Sequence, residues 1–278
     1  MKKQILLIAV VMAAIAAVWS LKTNAAFQAS LTVISWNVES GDSNPTVLAQ
    51  RIANVNGADI WGFSEVDANT MPAVFETAAE NGEGANFRRI LGTTGAADRL
   101  MIIYDADRFI LISSQELNEI NVTGTVRAPL VARLQDRLSG KEFLFMVNHL
   151  YRSSTSGRLQ QARLLNQWGR AQTLPVIAVG DYNFDYAVTG GDTNHDQGYD
   201  LLVANGVYRW VRPATLRGTQ CSEGVTNPTS VLDFIFTVGA AQRWPGTSTI
   251  LTVANDCPDS GTQTSDHRMV RGVFTLTP

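Results

Sequence analysis

The chain has 278 residues, of which 22 are Lys or Arg and 25 are Asp or Glu, a formal net charge of −3. Such a balance excludes a broad basic footprint for nucleic acid, although a local basic stripe could hide inside an acidic total. A hydrophobic share of 45% is ordinary for a globular domain.

The first element in chain order is "MKKQILLIAVVMAAIAAVWSLKTNAAFQAS". Two lysines, an apolar run from Ile5 to Trp19 and the small residues Ala25 and Ala26 follow in the order of a secretory signal peptide. The run falls short of the roughly 20 residues a spanning helix needs. Cleavage near Ala25 or Ala26 is therefore expected rather than retention as an anchor, and no Cys follows the run to carry a lipid. This reading divides the chain into a leader, 1–26, and one domain, 27–278. It implies a secreted or periplasmic protein, a monomer with no stable membrane anchor after cleavage. About 250 residues remain, a size that one domain often reaches, and they contain no linker, repeat or low-complexity segment.

"VISWNVESG", Val33 to Gly41, begins as a buried strand and then carries Asn37 and Glu39. Strand side chains alternate between faces, so these two residues are expected to share one mouth. "NPTVLAQRIANVNG" reads as a helix with Asn44 as N-cap, Pro45 at its first position, Leu48, Ile52 and Val55 on one face, and a stop at Gly57. Further helices are expected over Pro72 to Glu80, over "GRLQQARLLNQWGRAQ" with Leu159, Ala162, Leu165 and Trp168 in a stripe, and over Gln197 to Asn205. Short apolar runs recur between them: "LTVISW", "ADIWGF", "RLMIIYD", "RFILISS", "EFLFMV", "PVIAVG", "SVLDFIFTV", "STILTV" and "RMVRGVFTL". Their length and their Val, Ile and Phe content favour strands. Strands outnumber helices, and the helices interrupt them without strict alternation. Two packed sheets covered by helices fit that order better than a doubly wound sheet.

Cys221 and Cys257 are the two cysteines of the chain. Export makes one disulfide the default expectation, worth on the order of 2–4 kcal/mol and closing a loop around Val231 to Val238. Two free thiols, or a metal site lacking nearby histidine spacing, are the alternatives.

Polar residues gather where the apolar runs end. Glu65 lies just past one strand, Asn148 and His149 end "FMVNHL", and Asp181, Asn183 and Asp185 follow "VIAVG". Asp233 sits inside "SVLDFIF", and Asp266 and His267 precede a strand in "TSDHRMV". Each alone reads equally as a turn residue or a satisfied core group. Five such places in one chain point to a site, because charged groups at strand interiors and mouths cost free energy unless paired or metal-bound. Trp36, Trp61 and Trp168 read as core residues.

In their order and spacing, "WNVES", "SEV", "NHL", "GDYNFD", "LDFIF" and "SDHRMV" resemble the endonuclease/exonuclease/phosphatase superfamily. That superfamily includes pancreatic-type deoxyribonucleases, abasic-site endonucleases, neutral sphingomyelinases and inositol polyphosphate 5-phosphatases. The resemblance covers the whole mature chain, and its specific part is the combination of "GD-x-N" with a terminal "SDH". It implies an α+β fold, a four-layered αββα sandwich of two mainly antiparallel sheets flanked by helices. It also implies hydrolysis of a phosphate ester by water with a divalent cation, Mg²⁺ above all, with Mn²⁺ or Ca²⁺ as alternatives. Hard cations take oxygen ligands, and the resemblance assigns Glu65 as principal ligand with Asn37 beside it. Glu39 is then a weak or water-mediated ligand, and Asp266 completes the metal or water side.

By the same resemblance Asp181 positions and deprotonates the attacking water, and Asn183 donates to that water or to a phosphoryl oxygen. His267 supplies a proton or stabilises developing charge near the scissile phosphate, with Asp233 orienting its ring. In the deoxyribonuclease-like branch a second histidine assists leaving-group protonation, which makes His149 catalytic. Asp98 in "ADRLMIIYD" stands where that branch has the histidine's acidic partner, or else is a surface turn residue. Arg127 in "RAPLV" resembles the branch's Arg-x-Pro segment and is assigned to substrate binding. His195, in a polar loop, reads as solvated or substrate-adjacent. Two departures stand out: Ser64 occupies a place where many relatives have Gln, and loops for gripping DNA are not evident. "RWPG" around Trp244 is the one candidate for a membrane-inserting aromatic hairpin.

The leading functional expectation is an exported, metal-dependent phosphodiesterase acting on external nucleic acid. A phospholipid or inositol phosphate hydrolase is the alternative within the same chemistry. A non-catalytic binding module of the same fold is the third, and the intact set of candidate residues argues against it.

Overall fold

The computed structural model describes residues 30–221, 228–253, 256 and 263–277. The expected leader and Cys257 lie outside the described residues.

Along the chain run β1 (Ser30–Asn37), α1 (Pro45–Ala53), β2 (Ile60–Val66), α2 (Pro72–Glu83), β3 (Phe87–Leu91), β4 (Arg99–Asp105) and β5 (Phe109–Glu116). There follow β6 (Leu130–Asp136), β7 (Glu142–His149), α3 (Thr155–Arg170), β8 (Val176–Ala187) and α4 (Gln197–Val203). The last elements are β9 (Tyr208–Trp210), β10 (Ser230–Val238), β11 (Gly246–Ile250) and β12 (Val270–Thr275). They form two six-stranded sheets, in the orders β11-β12-β1-β2-β4-β3 and β5-β6-β7-β8-β10-β9.

Each sheet is antiparallel except for one central parallel pair, β1 with β2 in the first and β7 with β8 in the second. A parallel pair needs a crossover, and α1 and α3 supply it. The two pairs pack across the interface between the sheets. Their carboxyl ends consequently open on the same edge of the molecule.

Burial on both faces explains the uninterrupted apolar runs. In β1, Leu31 and Val33 join the core between the sheets, whereas Ile34 and Trp36 pack outward with Leu48 and Ile52 of α1 and Phe75 of α2. In β8, Ile177 and Val179 face inward, while Ala178 and Tyr182 meet Leu165 of α3. A strand covered on both sides loses the alternation of a half-exposed one. Helix, sheet, sheet and helix are thus held by three apolar layers, the αββα sandwich that the family resemblance implied.

Local signals at the helix starts work as read. Asn44 accepts a hydrogen bond from the Thr46 backbone N–H at 2.9 Å, with Pro45 at the first position. The helix stops at Ala53, ahead of Gly57, because the Asn54 backbone N–H already turns back to the Arg51 and Ile52 carbonyls. Helix α4 ends at Val203, and Asn205, expected inside it, instead has φ 58° within a 3₁₀ turn.

β3, β6 and β9 were not among the expected strands. β3 is an edge strand that exposes Arg88 and Arg89, β6 exposes Arg133 in mid-strand, and β9 has only three residues. None of them presents a continuous apolar run.

Two expectations for single residues change. Trp244 is not a membrane wedge: it is 7% exposed, stands edge-on to Phe143, and donates from its indole N–H to the Thr277 carbonyl at 3.1 Å. His195 is not solvated. Its ring stacks on Tyr186 at 5.4 Å, with Nδ1 at the Gly191 carbonyl and Nε2 3.1 Å from Asp200.

Gly180 is required by the approach of β7 to β8. Its φ is +139°, and a Cβ there would lie 2.0 Å from the Asn148 carbonyl oxygen. That neighbour is backbone and cannot rotate away. Gly180→Ala is expected to cost on the order of 3 kcal/mol or more of stability, read as a lower midpoint in urea unfolding.

Candidate active site

Strand register builds the site. His149 pairs with Asp181 across β7 and β8, and Asp233 pairs with Asp181 across β10 and β8. Residues opposite one another on neighbouring strands share a face. One row across the second sheet therefore carries His149, Asp181 and Asp233. Opposite it, β1 and β2 of the first sheet bring Asn37 and Glu65.

Two irregularities aim the side chains. The β2–β4 register shifts between Phe63 and Val66, and Glu65 inside that bulge has φ 57°. Glu39, Asn183 and Asp185 also have positive φ, at 51°, 52° and 45°. Left-handed backbone in non-glycine residues costs on the order of 1 kcal/mol or more each and gathers at functional sites. The expectation that simple alternation carries Asn37 and Glu39 to one mouth is corrected here. β1 ends at Asn37, and the left-handed turn delivers Glu39, with its backbone N–H donating to Asn37 Oδ1 at 3.1 Å.

Asn37 is a bridge between the sheets. Its amide nitrogen donates to Glu65 Oε1 at 2.9 Å and to Asp181 Oδ2 at 3.0 Å. Glu39 accepts from the Asp266 backbone N–H at 2.8 Å, and Gln220 donates to Asp266 Oδ2 at 3.0 Å. Asn183 donates through its backbone to Asp181 Oδ1 at 2.9 Å and through its amide to the Leu150 carbonyl at 3.1 Å. Glu39, Ser40, Asp42, Glu65, Arg152, Asp181, Asn183, Gln220, Asp266 and His267 line one cavity of about 110 Å³.

His267 is the most constrained member. Its Nδ1 lies 2.7 Å from Asp233 Oδ2, and its Nε2 lies 3.6 Å from Asp266 and 3.8 Å from Asp181. Its backbone is fixed separately, by the Ser265 hydroxyl accepting from its N–H and by the Trp36 indole donating to its carbonyl. Trp36 thus serves the site as well as the core. Burial alone would lower the ring's pKa. The charge and hydrogen bond of Asp233, reinforced by Asp181 and Asp266, outweigh it and push His267 up to about 10.

His149 behaves in the opposite way. Burial, with Arg127, His267 and Arg152 nearby, holds it well below the usual histidine range, so it is neutral. Its Nε2 stands 3.5 Å from Asp181 and 3.7 Å from Glu65. Asp98, expected as its acidic partner, is not within ion-pair reach of it. Asp98 instead accepts from the Ser40 hydroxyl and lies 3.8 Å from Arg127. Arg127 is largely buried next to Asp98, Glu65 and Asp181. Ser64 is buried, and its hydroxyl has no partner among the described residues.

The carboxylates crowd one another. Burial first, then the charge of Asp266, raises Glu39 to about 7. Burial, with Asp233 adding to it, raises Asp181 to about 7 against the opposing pull of His267. Glu65 is raised chiefly by burial. Glu65, His149 and Asp181 each offer a ligand atom, all within 4.8 Å of one another, as do Asp181, Asp233 and His267. Buried atoms without a partner among the described residues surround them: His149 Nδ1, Asn148 Oδ1, Asp233 Oδ1 and Arg127 Nε. Buried polar atoms seldom go unpaired. Oxygen-rich, mutually repelling ligands of this kind fit a hard divalent cation.

Sequence reasoning missed Arg152 and Gln220. Gln220 reaches the site through an isolated bridge to His267, a contact without a local signal. Arg152 is two residues past the "NHL" motif, where no pattern singles it out.

The arrangement is that of a phosphoester hydrolase, and comparison with known proteins agrees. A sequence model of the Endonuclease/Exonuclease/phosphatase family matches residues 34–267. The chain belongs to that family, whose members are divalent-metal-dependent hydrolases of phosphoester bonds. No curated protein matches the sequence. Among solved structures, an endonuclease/exonuclease/phosphatase family protein from Bacteroides thetaiotaomicron is similar at 21% identity and TM-score 0.68, over 90% of this chain and 99% of that one. A mannosyl-6-phosphatase from the same organism is similar at 20% identity and TM-score 0.63, over 88% of this chain and 100% of that one. D. rerio TDP2 complexed with a single-strand DNA product is similar at 20% identity and TM-score 0.63, over 89% and 100%. At these identities the likeness is one of fold.

Proposed function

We propose that the protein is an exported, Mg²⁺-dependent phosphodiesterase that cleaves nucleic acid. The observation that carries the reading is the row of His149, Asp181 and Asp233 facing Glu65 across the sheets, with His267 anchored on Asp233. Glu65, Glu39 and Asp266, with Asn37 beside them, would hold the cation. When bound it would draw charge from the phosphoryl oxygens. Asp181, raised to about 7, suits a base that accepts a proton from water near neutral pH. Asn183 would orient that water, and Arg127 would draw the phosphate in. His267 would stabilise charge developing on phosphorus or the leaving oxygen, and neutral His149 would stand by as a hydrogen-bonding group.

Nucleic acid is preferred over lipid because Trp244, the one candidate membrane wedge, is buried in the core. The structural likeness to a DNA-bound TDP2 adds an analogy of fold. Among the described residues no helix is long and apolar enough to cross a membrane. Export rests on the leader's composition. A disulfide joining buried Cys221 to Cys257 accompanies it as part of the proposal and would appear as a two-hydrogen mass difference on reduction.

The test is a screen of the protein lacking residues 1–26 against plasmid DNA, RNA, sphingomyelin and inositol phosphates, with Mg²⁺ and with EDTA. Nicking or degradation of nucleic acid in Mg²⁺ alone is the expected result. Turnover confined to choline- or inositol-bearing substrates would sink the nuclease reading.

A further inference from the structure

Arg152 lines the cavity on the loop between β7 and α3, three residues beyond His149. Its guanidinium takes part in no hydrogen bond or ion pair among the described residues. Arg127, also beside the carboxylates, is largely buried and lies 3.8 Å from Asp98. Arg152 is exposed.

The backbone that carries it is nevertheless fixed. Arg158, 5% exposed, donates to the carbonyls of Tyr151 and Arg152 at 2.7 and 2.9 Å, and is itself held by Asp196 at 2.7 Å. A buried arginine is thus used to pin the loop that presents an unpaired one. Close by, Arg152 acts on His149 and on Asp185, the left-handed residue at the end of the "GDYNFD" stretch.

Position and size constrain what this charge meets. A cavity of about 110 Å³ with five carboxylates in its lining is small beside a polymer with several phosphates. Arg152 stands exposed at its rim. A cation at the rim is placed for the next anionic group along a substrate and not for the group being cleaved. A preorganised loop also lowers the ordering cost of that contact.

We propose that Arg152 is a specificity-determining residue that binds the phosphate adjacent to the scissile one, so that the site favours polymers with successive phosphodiesters over isolated phosphoesters. This deepens the nuclease reading and rests on it.

The experiment measures kcat/KM of wild type, R152A and R152K in Mg²⁺ on a single-stranded oligonucleotide across a salt series, and on bis(p-nitrophenyl) phosphate, which has one phosphate. R152A is expected to lose about tenfold on the oligonucleotide, at least fivefold more than on the small diester, mainly through KM. Its dependence of log kcat/KM on log salt should be shallower by about 0.7 to 1, the loss of one phosphate contact. R152K, which keeps a point charge, should recover most of the salt slope. Thermal unfolding reports on the fold. Equal losses on both substrates, or an R152A curve that overlays wild type on the oligonucleotide, overturn the assignment while the nuclease reading stands. A wild-type enzyme that turns over the small diester and leaves the oligonucleotide intact overturns both.

Discussion

His267→Ala is expected to lower kcat/KM on any phosphodiester substrate by about 10³-fold, within the range for removing a positioned acid or electrostatic stabiliser. The ring is the part at risk, because Ser265 and Trp36 hold the backbone of His267 on their own. Asp233, 1% exposed, would lose its partner, a penalty of about 1–3 kcal/mol. Asp233→Asn provides a control that keeps the His267 ring and the shape of its partner while removing the partner's charge. It removes the largest influence raising His267, so the ring should release its proton at a lower pH than about 10. An NMR titration of the His267 ring in the two proteins reads this directly. The sign for stability follows. A folded pKa raised from 6.5 to about 10 adds stability that is complete below the unfolded value and lost as pH climbs through the folded one. Asp233→Asn should flatten that alkaline loss. If His267→Ala retained more than a tenth of wild-type activity with an unchanged fold, the role given to the ring would be wrong.

The second large effect concerns the cation. EDTA should abolish turnover, and Glu65→Gln should raise the Mg²⁺ concentration for half-maximal activity by about 10- to 100-fold or more, since substitutions even beyond the ligands reach that size. Gln retains the hydrogen bond that Asn37 makes to Glu65 Oε1 at 2.9 Å, so the bridge between the sheets survives. Thermal unfolding adds a readout independent of catalysis. Glu39 and Asp181 are raised from 4.5 and 3.8 to about 7. For an acid this means that ionisation is opposed in the fold, so the cluster destabilises the protein above pH 7 and the penalty fades as pH falls through 7 toward the ordinary carboxylate values. A divalent cation relieves the same repulsion. Mg²⁺ should therefore raise Tm more at pH 8 than at pH 6. A shift equal at both pH values would show that Glu39 does not hold it.

Much of this site was legible along the chain. "WNVES", "GDYNFD" and "SDHRMV" supply Asn37, Glu39, Asp181, Asn183, Asp266 and His267, and the structure gathers all of them within one edge of the sandwich. For Asp98 the chain left two readings open, a partner of the histidine or a surface turn residue, and the fold places it beside Arg127. A position ahead of a strand says which end of the sheet a carboxylate occupies, but not that Arg127, from a loop 29 residues away in sequence, meets it there. Arg152 escaped notice because a loop arginine has no periodicity, and its meaning depends on what lines the cavity beside it.

By itself the sequence determined what short-range physics writes within a few residues. Asn44 and Pro45 set the start of α1, continuous apolar runs mark strands covered on both faces, and family motifs name the chemistry. Tertiary structure decided how distant pieces meet. The register that lines up His149, Asp181 and Asp233, the bulge that turns Glu65 inward, and the Asn37 bridge to Asp181 across 144 residues all arise from it. Alternation and capping are local and repeat in every protein. Which strand pairs with which, and in what register, is settled only when two sheets bury their faces together, because a one-residue slip would turn every one of these side chains away.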